Sequence, residues 1–133
     1  MNNLPENLSP ATLAYLGDAV FELMARERAV KDDLKIADLH QKVSALVCAK
    51  AQSRMYNKLS EIITPEEHAI LKRGRNTHTR PGKSSTQREY QRATGVEALF
   101  GYLFLKKDSQ RLKHIFAICT GEIYEQTNNI NRT

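Results

Sequence analysis

Ser9-Pro10-Ala11-Thr12-Leu13-Ala14-Tyr15-Leu16-Gly17-Asp18-Ala19-Val20-Phe21-Glu22-Leu23-Met24 is the stretch that decides the fold. Ser9 at an N-cap and Pro10 at the first helical position start a helix, because the serine oxygen accepts an orphan backbone N–H and proline has none to leave unpaired. Leu13, Leu16, Val20, Leu23 and Met24 then recur at helical spacing and predict an apolar stripe on a helix from about Pro10 to Arg28. Ala11, Tyr15, Asp18, Glu22 and Ala25 share the opposite side. Gly17 stands in mid-helix, where glycine costs roughly 1 kcal/mol against alanine, so another backbone or a ligand is expected to come close.

The same periodicity runs outward from this helix. After the polar break Lys31-Asp32-Asp33, the positions Leu39, Val43, Leu46, Val47, Met55 and Leu59 predict one long helix from about Ile36 to Leu59 or Ser60. Thr64-Pro65-Glu66-Glu67 forms a capping box that starts a third helix, and Gly74 is expected to cap its end. The run 75–85 lacks large apolar residues and is predicted to be a surface loop. A fourth helix should span about Thr86 to Lys106. A last helix, capped by Asp108 or Ser109, should span about Ser109 to Gln126 and leave 128–133 to fray. With no period-two alternation and no internal repeat, the expected fold is all-α, one helical domain over residues 1–133.

Composition narrows the function. The longest mostly apolar stretch, Val96 to Leu105, contains Glu97 and falls far short of the ~20 residues that span a bilayer, so no membrane association is expected. The N-terminus shows no leader pattern, and the expected location is cytoplasmic. Cys48 and Cys119 have no C-x-x-C partner and are expected to be buried free thiols. The net charge of +5 is concentrated: Lys72, Arg73, Arg75, Arg80, Lys83, Arg88 and Arg92 face the single acid Glu89, leaving the rest of the chain near neutral. A local excess of this kind suits a polyanion.

Two acids break the helical pattern. Asp18 lies among the small residues Ala14, Gly17 and Ala19, and Glu97 has Ala93, Thr94 and Gly101 on its own face. Val96, Leu99, Phe100 and Leu103 occupy the other side of a helix that is apolar almost all round, as expected of a central or interface helix. An acid there is costly to desolvate unless a cation neutralises it. Two small-residue faces could bring Asp18 and Glu97 close enough to share a hard ion such as Mg²⁺. The pattern alone also admits Asp18 and Glu22 as a solvated face and Glu97 as the partner of an arginine.

Leu13-Ala-Tyr-Leu-Gly-Asp18-Ala-Val-Phe-Glu22 resembles the signature helix of the ribonuclease III family, built around Leu-Gly-Asp-Ala. Thr94-Gly-Val-Glu97-Ala-Leu-Phe-Gly101-Tyr-Leu-Phe-Leu105 resembles its second acidic motif. With Lys72-Arg-Gly-Arg-Asn76 between them, the chain is similar to the short Mini-III branch over roughly Ser9 to Gln126. The resemblance implies a homodimeric, helical, Mg²⁺-dependent endonuclease that cuts both strands of double-stranded RNA and leaves 5′-phosphate and 3′-hydroxyl ends. It implies Asp18 and Glu97 as the catalytic, metal-bound pair, and maturation of the 23S ribosomal RNA precursor as the task, with room for a ribosomal-protein helper. The double-stranded-RNA-binding domain of larger relatives has no place before Thr133. Those relatives carry further acids where this chain has Ala14 and Thr94, so a four-carboxylate site is reduced to two.

Affinity for RNA is then expected from Lys72, Arg73, Arg75, Asn76, Arg80, Lys83 and Arg88, since A-form duplexes are recognised mainly through phosphates, 2′-hydroxyls and shape. The alternatives are a non-catalytic RNA-binding or ribosome-assembly module, and a helical DNA-binding dimer.

Overall fold

The computed structural model of the chain describes residues 4–77 and 84–121, the side chains of Ser84 and Ser85 excepted. Among the described residues there are six α-helices: α1 (Pro10–Ala29), α2 (Ile36–Val47), α3 (Ala49–Ser60), α4 (Pro65–Arg75), α5 (Ser84–Leu105) and α6 (Ser109–Thr120). Short 3₁₀ turns lie at Pro5–Asn7 and Val30–Asp32, and there is no strand among the described residues. None of the helices is long and apolar enough to cross a membrane.

The all-round apolar pattern of α5 makes it the central element. Ala93, Val96, Ala98, Leu99, Phe100, Tyr102 and Leu103 are all buried, with α1, α3, α4 and α6 packed around them. Against α1 the packing is backbone on backbone. A Cβ on Gly17 would lie 1.6 Å from the Glu97 carbonyl oxygen, and one on Gly101 would lie 2.0 Å from that of Leu13. The approach expected at Gly17 is therefore real, and Gly101 supplies its other half.

That crossing changes which face of α1 is inside. Leu13, Ala14, Gly17, Val20, Phe21, Ala25 and Ala29 are buried, whereas Leu23 is 68% exposed and Leu16 and Met24 only partly covered. The predicted stripe followed the largest apolar residues. A close helix contact selects the smallest instead, because bulky side chains would hold the backbones apart. Phe21 packs beside the crossing, edge-on to Phe100 at 5.0 Å and to Phe116 at 5.5 Å.

The single long second helix is two helices, divided at Cys48, whose ψ of 154° is extended. The apolar period runs on because Gln52 N–H donates to the Cys48 carbonyl at 3.0 Å and restarts the helix at once. α2 packs on α1, while α3 packs on α5 and α6, and one straight axis could not follow both. Cys48 is exposed at this break, contrary to expectation, and Cys119 is a buried free thiol. Burial pushes the Cys119 thiol up to about 12.

Gly74 does not end α4, which runs on to Arg75 with Asn76 as its cap. A Cβ there would meet Gly95 Cα at 2.8 Å and Ala98 Cβ at 2.9 Å, so Gly74 forms a second close contact with α5. The helix start is as predicted: Glu67 N–H donates to Thr64 Oγ1 at 3.1 Å and Thr64 N–H to Glu67 Oε1 at 3.0 Å. Arg111 of α6 donates to both oxygens of the buried Glu67, at 2.8 and 2.7 Å. Burial acts to raise the Glu67 carboxyl, but these donors prevail and hold it below the usual carboxylate range.

The last helix begins at Asp108, which accepts from Arg111 N–H at 3.2 Å. It ends at Thr120 rather than Gln126, because Gly121 takes the left-handed conformation (φ 80°) that terminates a helix. The expected fraying tail at 128–133 lies outside the described residues.

Replacing Gly17 or Gly101 with alanine should cost at least about 3 kcal/mol, despite alanine's better helix propensity, because the clash is with backbone. Thermal unfolding followed by circular dichroism checks this. Gly121→Ala, with nothing within 4 Å of its Cβ, should cost only about 1 kcal/mol.

Candidate active site

The α1–α5 crossing carries the two acids with it. Asp18 follows Gly17 directly, and Glu97 is the residue whose carbonyl Gly17 meets. Asp18 is exposed and Glu97 half-buried. Burial first, and then the negative charge and hydrogen-bonding proximity of Asp18, push the Glu97 carboxyl up to about 8. No described cation acts to lower it. Burial and the neighbouring charge thus favour the neutral form of Glu97.

A divalent cation beside two such carboxyl groups would offset the same charge repulsion. Among the described residues no group of three or more His, Cys, Asp or Glu side chains could hold a metal, and the pair offers two carboxylates. The donors fit a hard ion that accepts one or two carboxylates and completes its shell with water and phosphate oxygens. Ala14 is buried, and buried Thr94 donates its hydroxyl to the Tyr90 carbonyl at 2.9 Å. The two positions at which the family resemblance finds acids missing are thus part of the helix packing.

An open cleft of about 380 Å³ lies beside Asp18 along one face of α1, lined by Asp18, Ala19, Glu22, Leu23 and Arg26. Arg26 donates to Glu22 at 2.9 Å across one turn of α1. Arg26 is not among the site residues expected from the sequence. The i, i+4, i+8 spacing from Asp18 was the signal that could have found it.

The basic segment sits on a neighbouring face of α5. Gly74 packs against Thr94, Gly95 and Ala98, so the end of α4 lies along the same turns that carry Glu97. Lys72 and Asn76 are exposed there. Arg75 is half-buried, placed over the Tyr56 ring at 5.9 Å and donating to Asn76 Oδ1 at 3.2 Å. Arg73 has a structural task as well: its guanidinium donates to the carbonyls of Glu6 and Leu8 at 3.1 and 3.4 Å, tying the N-terminal turn to α4. Arg88 is exposed on the first turns of α5. The predicted loop is shorter than expected, since α4 includes Arg75 and α5 begins at Ser84. Arg80 and Lys83 lie outside the described residues.

Residues 11–108 match the family model described as Ribonuclease III domain, and the chain belongs to the ribonuclease III family. A Fusobacterium nucleatum protein solved by X-ray crystallography superposes with a TM-score of 0.78 at 36% identity, covering 87% of this chain and 94% of that one.

Among sequence relatives, the Mini-ribonuclease 3 of Thermosynechococcus vestitus is 40% identical over 122 residues, 92% of this chain and 80% of its own. That of Symbiobacterium thermophilum is 40% identical over 114 residues, 84% of this chain and 87% of its own. These similarities place the chain in the Mini-ribonuclease 3 branch, an endoribonuclease and hydrolase of ribonuclease III type. The family acts on double-stranded RNA, in general with a divalent metal and typically as a dimer.

A carboxyl raised from 4.5 to about 8 keeps the folded state protonated while the unfolded chain is already ionised. Stability without divalent ions should therefore fall as pH rises from about 5 to about 8. Melting temperatures across that range should slope downward, and Glu97→Gln should flatten the slope.

Proposed function

We propose that Asp18 and Glu97 are the catalytic pair of this endoribonuclease and together hold Mg²⁺. The observation that carries this is their meeting at the Gly17–Gly101 crossing, with Glu97 driven toward its neutral form by burial and by Asp18. When bound, Mg²⁺ supplies Lewis acidity toward a phosphodiester and lowers the pKa of water. The chain's own residues do the rest. Asp18 lines the open cleft, and Glu97 beside it would hold the ion as a carboxylate, so its raised pKa would make ion uptake more favourable as pH rises. The rigid contact between two backbones holds the carboxyl groups in place with little reorganisation. Hydrolysis leaves 5′-phosphate and 3′-hydroxyl ends.

The duplex is held by Lys72, Arg73, Arg75, Asn76, Arg80, Lys83 and Arg88. Support comes from the exposure of Lys72, Asn76 and Arg88 and from the packing of α4 beside the turns that carry Glu97. Arg73 combines this role with its hold on the N-terminal turn. Residues 1–133 act as one catalytic domain, a reading supported by the single hydrophobic core that joins all six helices. Two copies form a homodimer, one site for each strand. The similarity to Mini-ribonuclease 3 proteins supports the paired ends of the 23S ribosomal RNA precursor as substrate, in the cytoplasm, with a ribosomal protein as helper.

Asp18→Asn and Glu97→Gln should each lower Mg²⁺-dependent cleavage of a duplex built from those paired ends by about a hundredfold or more. Binding measured by gel shift should stay within a few-fold of the unaltered protein. Unchanged cleavage by Asp18→Asn would sink the assignment. A DNA duplex of the same sequence should compete poorly, because its B-form groove does not offer the 2′-hydroxyl and A-form phosphate pattern.

A further inference from the structure

The cleft in front of Asp18 contains a charged pair that the metal-binding acids do not require. Asp18, Glu22 and Arg26 stand at successive turns of α1 and line the same cavity of about 380 Å³. Arg26 Nη2 donates to Glu22 Oε2 at 2.9 Å. Helical side chains lean toward the N-terminus of their helix. The guanidinium is therefore drawn back along the face to about one helical turn, ~5.4 Å, beyond Asp18. That offset is of the order of the separation between successive phosphates on one RNA strand.

Charge argues in the same direction. The acids that line the cleft, Asp18 and Glu22, would by themselves repel a polyanion. Among the described residues Arg26 is the cation lining it. The Arg26 side chain is 56% exposed and Glu22 41%, so the pair adds little to stability but can be reached by a ligand. A guanidinium carries five donors in a planar fork, and its contact from Nη2 to one Glu22 oxygen uses only part of that set.

We infer that Arg26, oriented by Glu22, binds the phosphate next to the scissile one on the strand cut at this site. Arg26 is thereby a substrate-binding residue and Glu22 a positioning residue. The inference rests on the assignment of Asp18 and Glu97 as the catalytic pair.

The test uses a duplex RNA of about two helical turns in which single phosphates flanking the cut are replaced by neutral methylphosphonates. Single-turnover cleavage with Mg²⁺ is followed at several salt concentrations. Arg26→Ala should lower kcat/KM by about 10- to 100-fold and reduce the slope of log K against log salt by about one, with an unchanged melting temperature. Arg26→Lys should recover part of the loss, since an ammonium keeps the charge without the fork. Glu22→Gln should raise KM more than it lowers kcat.

The deciding result is one methylphosphonate that impairs the unaltered protein but costs Arg26→Ala nothing further. Equal losses for both proteins at every position, or unimpaired cleavage and salt slope in Arg26→Ala, would overturn the inference. Asp18→Asn is run in parallel. If it is inactive while Arg26→Ala is unimpaired, the role of Arg26 alone falls; if it cleaves normally, the catalytic-pair assignment falls and this inference with it.

Discussion

The contact between Gly17 and Gly101 is the constraint on which the rest of the structure depends. Each glycine admits the carbonyl of the opposing helix into space that a methyl group would fill, at 1.6 and 2.0 Å from an ideal Cβ. Two helices that meet this closely have no freedom to slide or roll, so residues next to the contact inherit its precision. Asp18 and Glu97 are such residues. Their pairing needs no loop and no long flexible side chain, and the unfavourable proximity of two carboxyl groups is held in place by packing around Phe21, Phe100 and Phe116.

α5 is held equally firmly from its other sides. Gly74 brings α4 onto Gly95 and Ala98, and the Glu67–Arg111 pair joins the start of α4 to α6. Within about two turns of one helix, therefore, the acidic pair faces α1 while the basic end of α4 lies alongside. Opposite charges on different flanks of one rigid helix can act together on a single polyanion without neutralising one another. The basic residues are themselves ordered by small local contacts, Arg75 by Tyr56 and Asn76, and Arg73 by two carbonyls of the N-terminal turn.

Much of this was legible in the residues. Ser9-Pro10 and Thr64-Pro65-Glu66-Glu67 mark helix starts through local hydrogen bonding alone, and both caps form as the chemistry requires. The all-round apolar character of α5 announced a central helix. The pairing of Asp18 with Glu97 could be suspected from the small residues around each, since small residues in mid-helix have few other reasons to be there. The errors share one cause. The buried face of α1, the division at Cys48 and the role of Gly74 all depend on which helix lies opposite, and a period of 3.6 residues carries no record of its neighbour. A wheel weighted by size pointed Leu23 inward, whereas the partner backbone admitted only glycine and alanine.

The amino-acid sequence by itself determined the helices, their caps, the concentration of positive charge between Lys72 and Arg92, and the two acids with their small neighbours. These are properties of short stretches, set by hydrogen bonds and side-chain volume within a few turns. Only the tertiary structure decided that Glu97 is half-buried against Asp18, with its proton retained to about pH 8, and that Glu22 and Arg26 line the cleft beside Asp18. Desolvation and charge coupling depend on distances between residues far apart in the chain, and those distances exist only once α1 has docked on α5.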